Sequence, residues 1–293
     1  MNPKKVSDYK EQGYAVFQEV YDEDSCNELK NRMREIIDQI DITKESIDVF
    51  SADNQDKQQR DDYFIDSAWQ IKPFYEKDAL DSKGNLLVPK HEAFNKVGHN
   101  MHDLDPVFRS FTYSKIMKQI YFNVMGFSNP LVTQSMYIFK NPRIGGEVDP
   151  HKDNSFLITT PHSCQGVWVG LDSASQDNGC LWGVPGSHRE DPLCYLRLGQ
   201  NEKTGGKTTF MLPDTQVQNN YSTAGAVPLE TSAGAIVLIH GNFLHFSHKN
   251  TSGMQRHAYT LHILEGKEGF KYDHDNWIQR PSDMPWTKVS NDL

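Results

Sequence analysis

The sequence predicts a mainly β protein with helical decoration, built on a double-stranded β-helix of the jelly-roll, cupin-like kind. Two observations predict it. Amphipathic helical patterns concentrate before residue 130, whereas after Pro130 the chain breaks into short apolar or alternating stretches separated by Gly, Pro, Asn or Asp. Helices backing many short strands are the signature of an all-β closure that hides its sheet edges, and the interior of such a barrel is a natural metal pocket. One domain spanning 1–293 is expected, because barrels and sandwiches reach roughly 200–250 residues as one unit.

Composition narrows the functional classes. Hydrophobic residues make up 37% and charged residues 24%, the balance of a globular chain rather than a disordered one. A formal net charge of −9 argues against a nucleic-acid surface. Cys26, Cys164, Cys180 and Cys194 lack Cys-x-x-Cys spacing and disulfide-scaffold density, which fits a reducing compartment. The polar start from Met1 to Gln12, the lack of a long apolar run and the ending Ser290-Asn291-Asp292-Leu293 lead us to expect a cytoplasmic protein, with the nucleus also open, and no membrane partner. Two glycosylation sequons, at Asn220 and Asn250, have no consequence without secretion.

Taken in order, Val6 to Gln12 reads as a short helix leading into a strand, Tyr14 to Phe17. Asp22, Asp24 or Ser25 is placed to cap the next helix, in which Cys26, Leu29, Met33, Ile36, Ile37 and Ile40 share one face. Thr43 to Gln59 turns polar and reads as a surface excursion. Tyr63-Phe64-Ile65 and Ile71 to Tyr75 read as strands, and Asp81-Ser82-Lys83-Gly84 as a turn. Asp105-Pro106 supplies an N-cap and first helical residue. A helix follows from Ser114 to Met125, with Ile116, Ile120 and Val124 on one side and Gly126 as its stop. Strands are then expected over Leu131 to Phe139, Ser155 to Thr159, Gly166 to Leu171, Gly179 to Val184, Ala235 to Ile239 and Arg256 to Leu264.

The chemistry centres on Pro150-His151-Lys152-Asp153. On extended backbone, residues two apart share a face, so His151 and Asp153 offer two ligands to one metal from one short segment. Two histidines and one carboxylate on one face of an octahedron suit ferrous iron and leave positions open for other ligands. A lone His-x-Asp is weak, and its bland reading is a polar strand end. The distal histidine has five candidates, His240, His245, His248, His257 and His262, among which composition does not choose. Spacing favours His245, 92 residues after Asp153 and 11 before Arg256, whose guanidinium in a barrel would pair with the far carboxylate of a 2-oxo-dicarboxylate.

His151-x-Asp153, Asn178-Gly179-Cys180-Leu181-Trp182, Pro185-Gly186-Ser187-His188, His245-x-Ser247 and Arg256 together resemble the phytanoyl-CoA dioxygenase family, in particular its animal branch. Gln134 to Lys140, Gly145 to Val148 and Val237 to Gly241 extend the resemblance, which runs from about Tyr14 to Trp277. The resemblance implies an Fe(II)- and 2-oxoglutarate-dependent dioxygenase that uses O2, hydroxylates a small-molecule substrate and releases succinate and CO2, with ascorbate as a reductant. By position it implies His151, Asp153 and His245 on iron, Arg256 and Ser247 on the far carboxylate of 2-oxoglutarate, and Lys96, Met136 and Trp168 in the cosubstrate pocket. His240 becomes the decoy. The presence of Asp153 implies hydroxylation rather than halogenation, in which chloride takes the carboxylate's place. One departure is Gly183, where relatives often carry a bulkier apolar residue. Facing the pocket it would alter substrate shape; facing away it is a detail of the sheet. The family name does not give the substrate, and acyl-CoA thioesters rest on analogy alone.

Other features have bland readings. Gly205-Gly206-Lys207-Thr208 fails the phosphate-loop pattern, because Asn201 stands where a glycine is required, and reads as a flexible loop. Ser187-His188 sits outside any Gly-x-Ser-x-Gly elbow. His99 and His102 read as loop or surface groups. The alternatives to an oxygenase are a non-catalytic, cupin-like metal-binding protein and a zinc hydrolase, for both of which Arg256 has no purpose. Oligomeric state is not legible.

Overall fold

The computed structural model describes residues 3–41, 49–50, 62–81, 83–200, 206–213 and 220–292. The elements run α1 (Pro3–Gln12), β1 (Tyr14–Phe17), α2 (Glu23–Gln39), β2 (Val49–Phe50), α3 (Asp62–Asp66), β3 (Ile71–Glu76), β4 (Phe94–His99), α4 (Met101–Leu104), α5 (Pro106–Thr112) and α6 (Lys115–Gln119). Strands then dominate: β5 (Pro130–Ile138), β6 (Val148–His151), β7 (Thr159–Thr160), β8 (Gln165–Gly170), β9 (Leu181–Gly183), β10 (Tyr195–Gln200), β11 (Lys207–Leu212), β12 (Val227–Leu229), β13 (Ile236–His240), β14 (His245–Ser247), β15 (Ala258–Glu265) and β16 (Lys271–Tyr272). Eight of them form one sheet in the order β1-β13-β8-β15-β5-β4-β3-β2, and four form a smaller sheet, β12-β9-β14-β6. A mainly β fold with helical decoration on a jelly-roll core is the class the sequence predicted, and β1 to β4, from before residue 130, also belong to the large sheet.

Period-two alternation along the large sheet decides what faces the site. On β15, Tyr259 and Leu261 join a core shared with α1, α2, α5 and α6 through Tyr9, Leu29, Phe108 and Met117. Their neighbours Thr260 and His262 point the other way, into a cavity between the sheets. On β8, Val167 and Val169 belong to the helix-covered core, while Trp168 packs with Leu181, Ile239 and Phe243 on the opposite side.

Helix α2 is capped by Asp22, whose carboxylate accepts from the Ser25 N–H at 2.9 Å, and it opens with Glu23 and Asp24, favourable charges for that end. Its buried face is Cys26, Leu29, Met33 and Ile37. Burying each of the larger side chains contributes about 1.5–3 kcal/mol. Asp105 caps α5 through the Val107 and Phe108 N–H groups, with Pro106 as the first helical residue.

Several expectations need correction. Ile116 is 37% exposed, and the buried face after Ser114 is Met117, Ile120, Tyr121 and Val124. The segment does not keep one period, because Lys115–Gln119 is α-helical and Ile120–Val124 is a π-helical turn, so Ile116, Ile120 and Val124 do not stay on one face and Ile116 falls to the solvent side. Tyr63-Phe64-Ile65 is helical, within α3, and Phe64 stacks on Trp277 with ring centroids 4.5 Å apart. Of Ser155 to Thr159 only Thr159 is strand, because Asp153–Ser155 forms a 3₁₀ turn and the Asp153 carbonyl accepts from the Phe156 and Leu157 N–H groups. Strands β10 and β11 form an unforeseen hairpin, in which only Thr209 and Met211 of β11 are buried. The Thr43 to Gln59 excursion, apart from β2, lies outside the described residues, as do Ser82, Asn201 and Gly205. Among the described residues no helix is long and apolar enough to cross a membrane.

Candidate metal and oxo-acid site

The site is assembled where the small sheet brings distant segments into register. His245 on β14 lies directly opposite His151 at the end of β6. Lys152 continues the extended path, with φ −123° and ψ 133°, so Asp153 returns to the same side as His151. The Lys152 side chain leaves in the opposite sense and donates to the Ser187 and Glu190 carbonyls at 3.0 and 2.8 Å.

His151 Nε2 lies 3.8 Å and His245 Nε2 3.7 Å from Asp153 Oδ1. Each imidazole is oriented by its other nitrogen. His151 Nδ1 pairs with the Asp149 carbonyl at 2.8 Å and His245 Nδ1 with the Phe243 carbonyl at 3.0 Å. A carbonyl only accepts, so both Nδ1 atoms carry the proton, and in the neutral rings the lone pairs are on Nε2. Burial and then His245 push the His151 pKa down to about 4, which keeps that ring neutral near pH 7. Burial opposes ionisation of Asp153, but His262, His245 and His151 outweigh it and hold the carboxyl well below the usual carboxylate range.

Two imidazole lone pairs and a carboxylate therefore converge, and ligand atoms of the three lie within 4.8 Å of one another. Asp153 Oδ2 is buried with no hydrogen-bond partner. Cis ligands about 2.1 Å from a metal are about 3 Å apart, so each imidazole needs to close on Asp153 Oδ1 by less than about 1 Å. The donor set fits a divalent cation, and its two-histidine, one-carboxylate chemistry fits ferrous iron. The Asp273-His274-Asp275 group also has metal-binding composition, but its two carboxylates are paired with Arg197 and His274 is exposed.

The other expected residues line the same cavity of about 260 Å³: Lys96, Met136, Trp168, Ser247 and Arg256. Arg256, two residues before β15, is 2% exposed and sits 5.5 Å from the Trp168 ring. Its Nε and Nη2 donate to the Gly179 carbonyl at 3.1 and 2.7 Å, and Nη1 is buried without a partner. Burial lowers the guanidinium pKa to about 10, so it stays charged. Ser247 lies two residues from His245 on β14 and thus on the same face. Lys96 is 7% exposed, with its ammonium 5.0 Å from the Phe74 ring centroid. His240 stays apart: its Nδ1 accepts from the Asn242 N–H and its ring faces His188.

Four residues near the site stand differently from their sequence readings or had none. His262 Nε2 lies 3.3 Å from Asp153 Oδ1, although His262 is not in the converging set. Counting by twos from Arg256 through Ala258 and Thr260 would have found it. His99 and His102 are not surface groups, with 1% and 0% exposure. His99 lines the cavity and pairs with Ser67 Oγ at 2.7 Å, and burial followed by Lys96 drives its pKa well down. Lys140 also lines the cavity and had been given no role.

A family model described as phytanoyl-CoA dioxygenase (PhyH) matches residues 9–258. "Phytanoyl-CoA dioxygenase" of Arabidopsis thaliana is 41% identical over 280 residues, 96% of this chain and 94% of that protein. "Phytanoyl-CoA dioxygenase domain-containing protein 1" of Danio rerio is 38% identical over 294 residues, 99% and 98% of the two chains. Among solved structures, the non-heme alpha ketoglutarate dependent carbocyclase SnoK from nogalamycin biosynthesis superposes with a TM-score of 0.59 at 18% identity, covering 93% of this chain and 86% of that one. EctD from S. alaskensis with 2-oxoglutarate and 5-hydroxyectoine gives 0.57 at 15% identity, covering 90% and 76%. These two likenesses speak to the fold.

Proposed function

The chain belongs to the phytanoyl-CoA dioxygenase family, a family of iron- and 2-oxoglutarate-dependent dioxygenases, and from that premise we propose that it hydroxylates a small organic molecule with release of succinate and CO2. In this reading His151, Asp153 and His245 hold Fe(II), and Arg256 with Ser247 takes the far carboxylate of 2-oxoglutarate. Bound iron and 2-oxoglutarate together supply the oxidation: dioxygen puts one atom into succinate as the 2-oxo acid loses CO2, and the other into a C–H bond of the substrate.

The chain's own residues do the rest. The Asp149 and Phe243 carbonyls fix the imidazole tautomers, so the ligand atoms are aimed before metal arrives. Arg256 offers a buried donor at Nη1, which excludes water as a competitor for the carboxylate. Phe64, Phe156, Leu157, Leu196, Met211 and Trp277 line the cavity without charge, which suits an apolar part of the substrate.

One observation carries the reading: a three-donor metal set and a buried arginine with an unpaired nitrogen share one cavity. A metal kept for stability alone, or a zinc hydrolase, leaves that arginine unexplained. The test is succinate formation from 2-oxoglutarate by purified protein with Fe(II) and ascorbate, with and without a substrate panel. Asp153→Ala is expected to abolish turnover and His240→Ala to retain most of it. No turnover with any substrate would favour a non-catalytic metal-binding protein.

A further inference from the structure

Lys140 stands where four separate stretches of the chain meet. It follows β5 in a left-handed backbone conformation, φ 42°. Its carbonyl accepts from Asn250 Nδ2 at 2.9 Å and from the Arg256 N–H at 3.3 Å. Its side chain passes Gly179 so closely that a Cβ there would lie 2.5 Å from Lys140 Cε. Its ammonium donates to the Gly146 carbonyl and, at 2.8 Å, to Ser247 Oγ. Lys140 therefore ties the strand leading to His151 to the strand carrying His245, beside the glycine carbonyl that orients Arg256.

The electrostatics of this knot ask for an anion. Lys140 is 3% and Arg256 2% exposed, and among the described residues neither is within 4.0 Å of a carboxylate oxygen. Two buried cations without a paired anion are costly, and burial followed by Arg256 pushes the Lys140 pKa well down, a penalty that an anion placed beside both groups would relieve. Glu76 and Glu147 act on Lys140 only from beyond that distance, and the Glu76 carboxylate accepts from Asn95 Nδ2 at 2.8 Å while burial pushes its pKa up. Three donors remain on residues that line the one cavity: Arg256 Nη1, the third hydrogen of the Lys140 ammonium, and the Ser247 hydroxyl, whose oxygen already accepts from Lys140 and whose hydrogen must point elsewhere.

We infer that Lys140 is a second cationic anchor for the distal carboxylate of 2-oxoglutarate, gripping it together with Arg256 and Ser247. This inference rests on the cosubstrate reading above. It makes the site selective for a 2-oxo dicarboxylate over a 2-oxo acid of the same length that ends in a methyl group.

The test is calorimetric titration of Mn(II)-loaded protein with 2-oxoglutarate and with 2-oxopentanoate. Wild-type protein is expected to prefer 2-oxoglutarate. Lys140→Met is expected to weaken 2-oxoglutarate about 10- to 100-fold, the worth of one charge-assisted hydrogen bond, with 2-oxopentanoate and Mn(II) affinities unchanged. Unchanged 2-oxoglutarate affinity, or equal loss for both acids, overturns the inference, the second outcome marking a purely structural lysine. Wild-type protein that binds neither acid would sink the cosubstrate reading as well, a separate signature. If Lys140→Met does not fold, a crystal structure of wild-type protein with Mn(II) and 2-oxoglutarate decides. Lys140 Nζ is expected within about 3.2 Å of the distal carboxylate; a carboxylate held by Arg256 and Ser247 with Lys140 turned away contradicts the proposal.

Discussion

Gly183 tests how tightly the sheet supports the metal ligands. A Cβ built there would lie 2.2 Å from both Cε1 and Cζ of Phe243. Non-bonded carbons sit about 3.5–4.0 Å apart, so Gly183→Ala requires the ring to move by roughly 1.3 Å or more. There is no room for that movement: Phe243 is 0% exposed and packs on Tyr14 with centroids 5.1 Å apart. Overpacking of this kind costs about 1–3 kcal/mol, against about 0.4–1 kcal/mol regained from the stiffer unfolded chain. The net is destabilising. At about 2–4 °C per kcal/mol, the melting temperature is expected to fall by several degrees. The Phe243 carbonyl also orients His245, so Mn(II) affinity is expected to fall in the same variant. Thermal melts with and without Mn(II), and a metal titration, measure both effects. A variant with unchanged melting temperature and unchanged metal affinity would refute the packing argument, and with it the conclusion that Gly183 faces Phe243 rather than the substrate.

Two further outcomes are expected. His262→Ala removes a neighbour of Asp153 Oδ1 that is not itself in the metal-ligand set, so Mn(II) affinity is expected to drop about 10- to 100-fold while stoichiometry stays the same; unchanged affinity, measured by equilibrium dialysis, would remove His262 from the site. Burial holds His102, His240 and His257 at pKa values of about 4, below the ordinary histidine value of 6.5. Between those values the unfolded chain binds more protons than the folded one, so stability is full above about pH 6.5 and declines as pH falls toward 4, by up to about 1.4 kcal/mol per pH unit for each histidine. Urea melts across that range would contradict this if the free energy were flat or rose on acidification.

Much of the site was legible because its chemistry is periodic or local. His151 and Asp153 share a face through one extended residue, and His245 and Ser247 repeat the device on β14. The role of Arg256 came from its spacing to His245 together with a resemblance, and its burial and unpaired Nη1 give that role a physical basis. What sequence did not disclose depends on tertiary contact. Tyr63 to Ile65 have β propensity but find no strand partner, and Phe64 packs instead on Trp277 from near the far end of the chain. Nothing local marks His99 as buried, because the rings that enclose it, Phe64, Phe74 and Trp277, come from other parts of the chain. Lys140 is the clearest case, since its partners Gly146, Gly179 and Ser247 come together only when both sheets have formed.

The most direct measurement is metal binding by equilibrium dialysis under nitrogen, comparing wild-type protein with His151→Ala, Asp153→Ala, His245→Ala and His240→Ala. One Fe(II) per wild-type chain is expected, held more tightly when 2-oxoglutarate is present. Each of the first three substitutions should abolish that binding, and the fourth should leave it intact. Binding that survives Asp153→Ala, or that depends on His240 instead of His245, would contradict the assignment of these three side chains to iron.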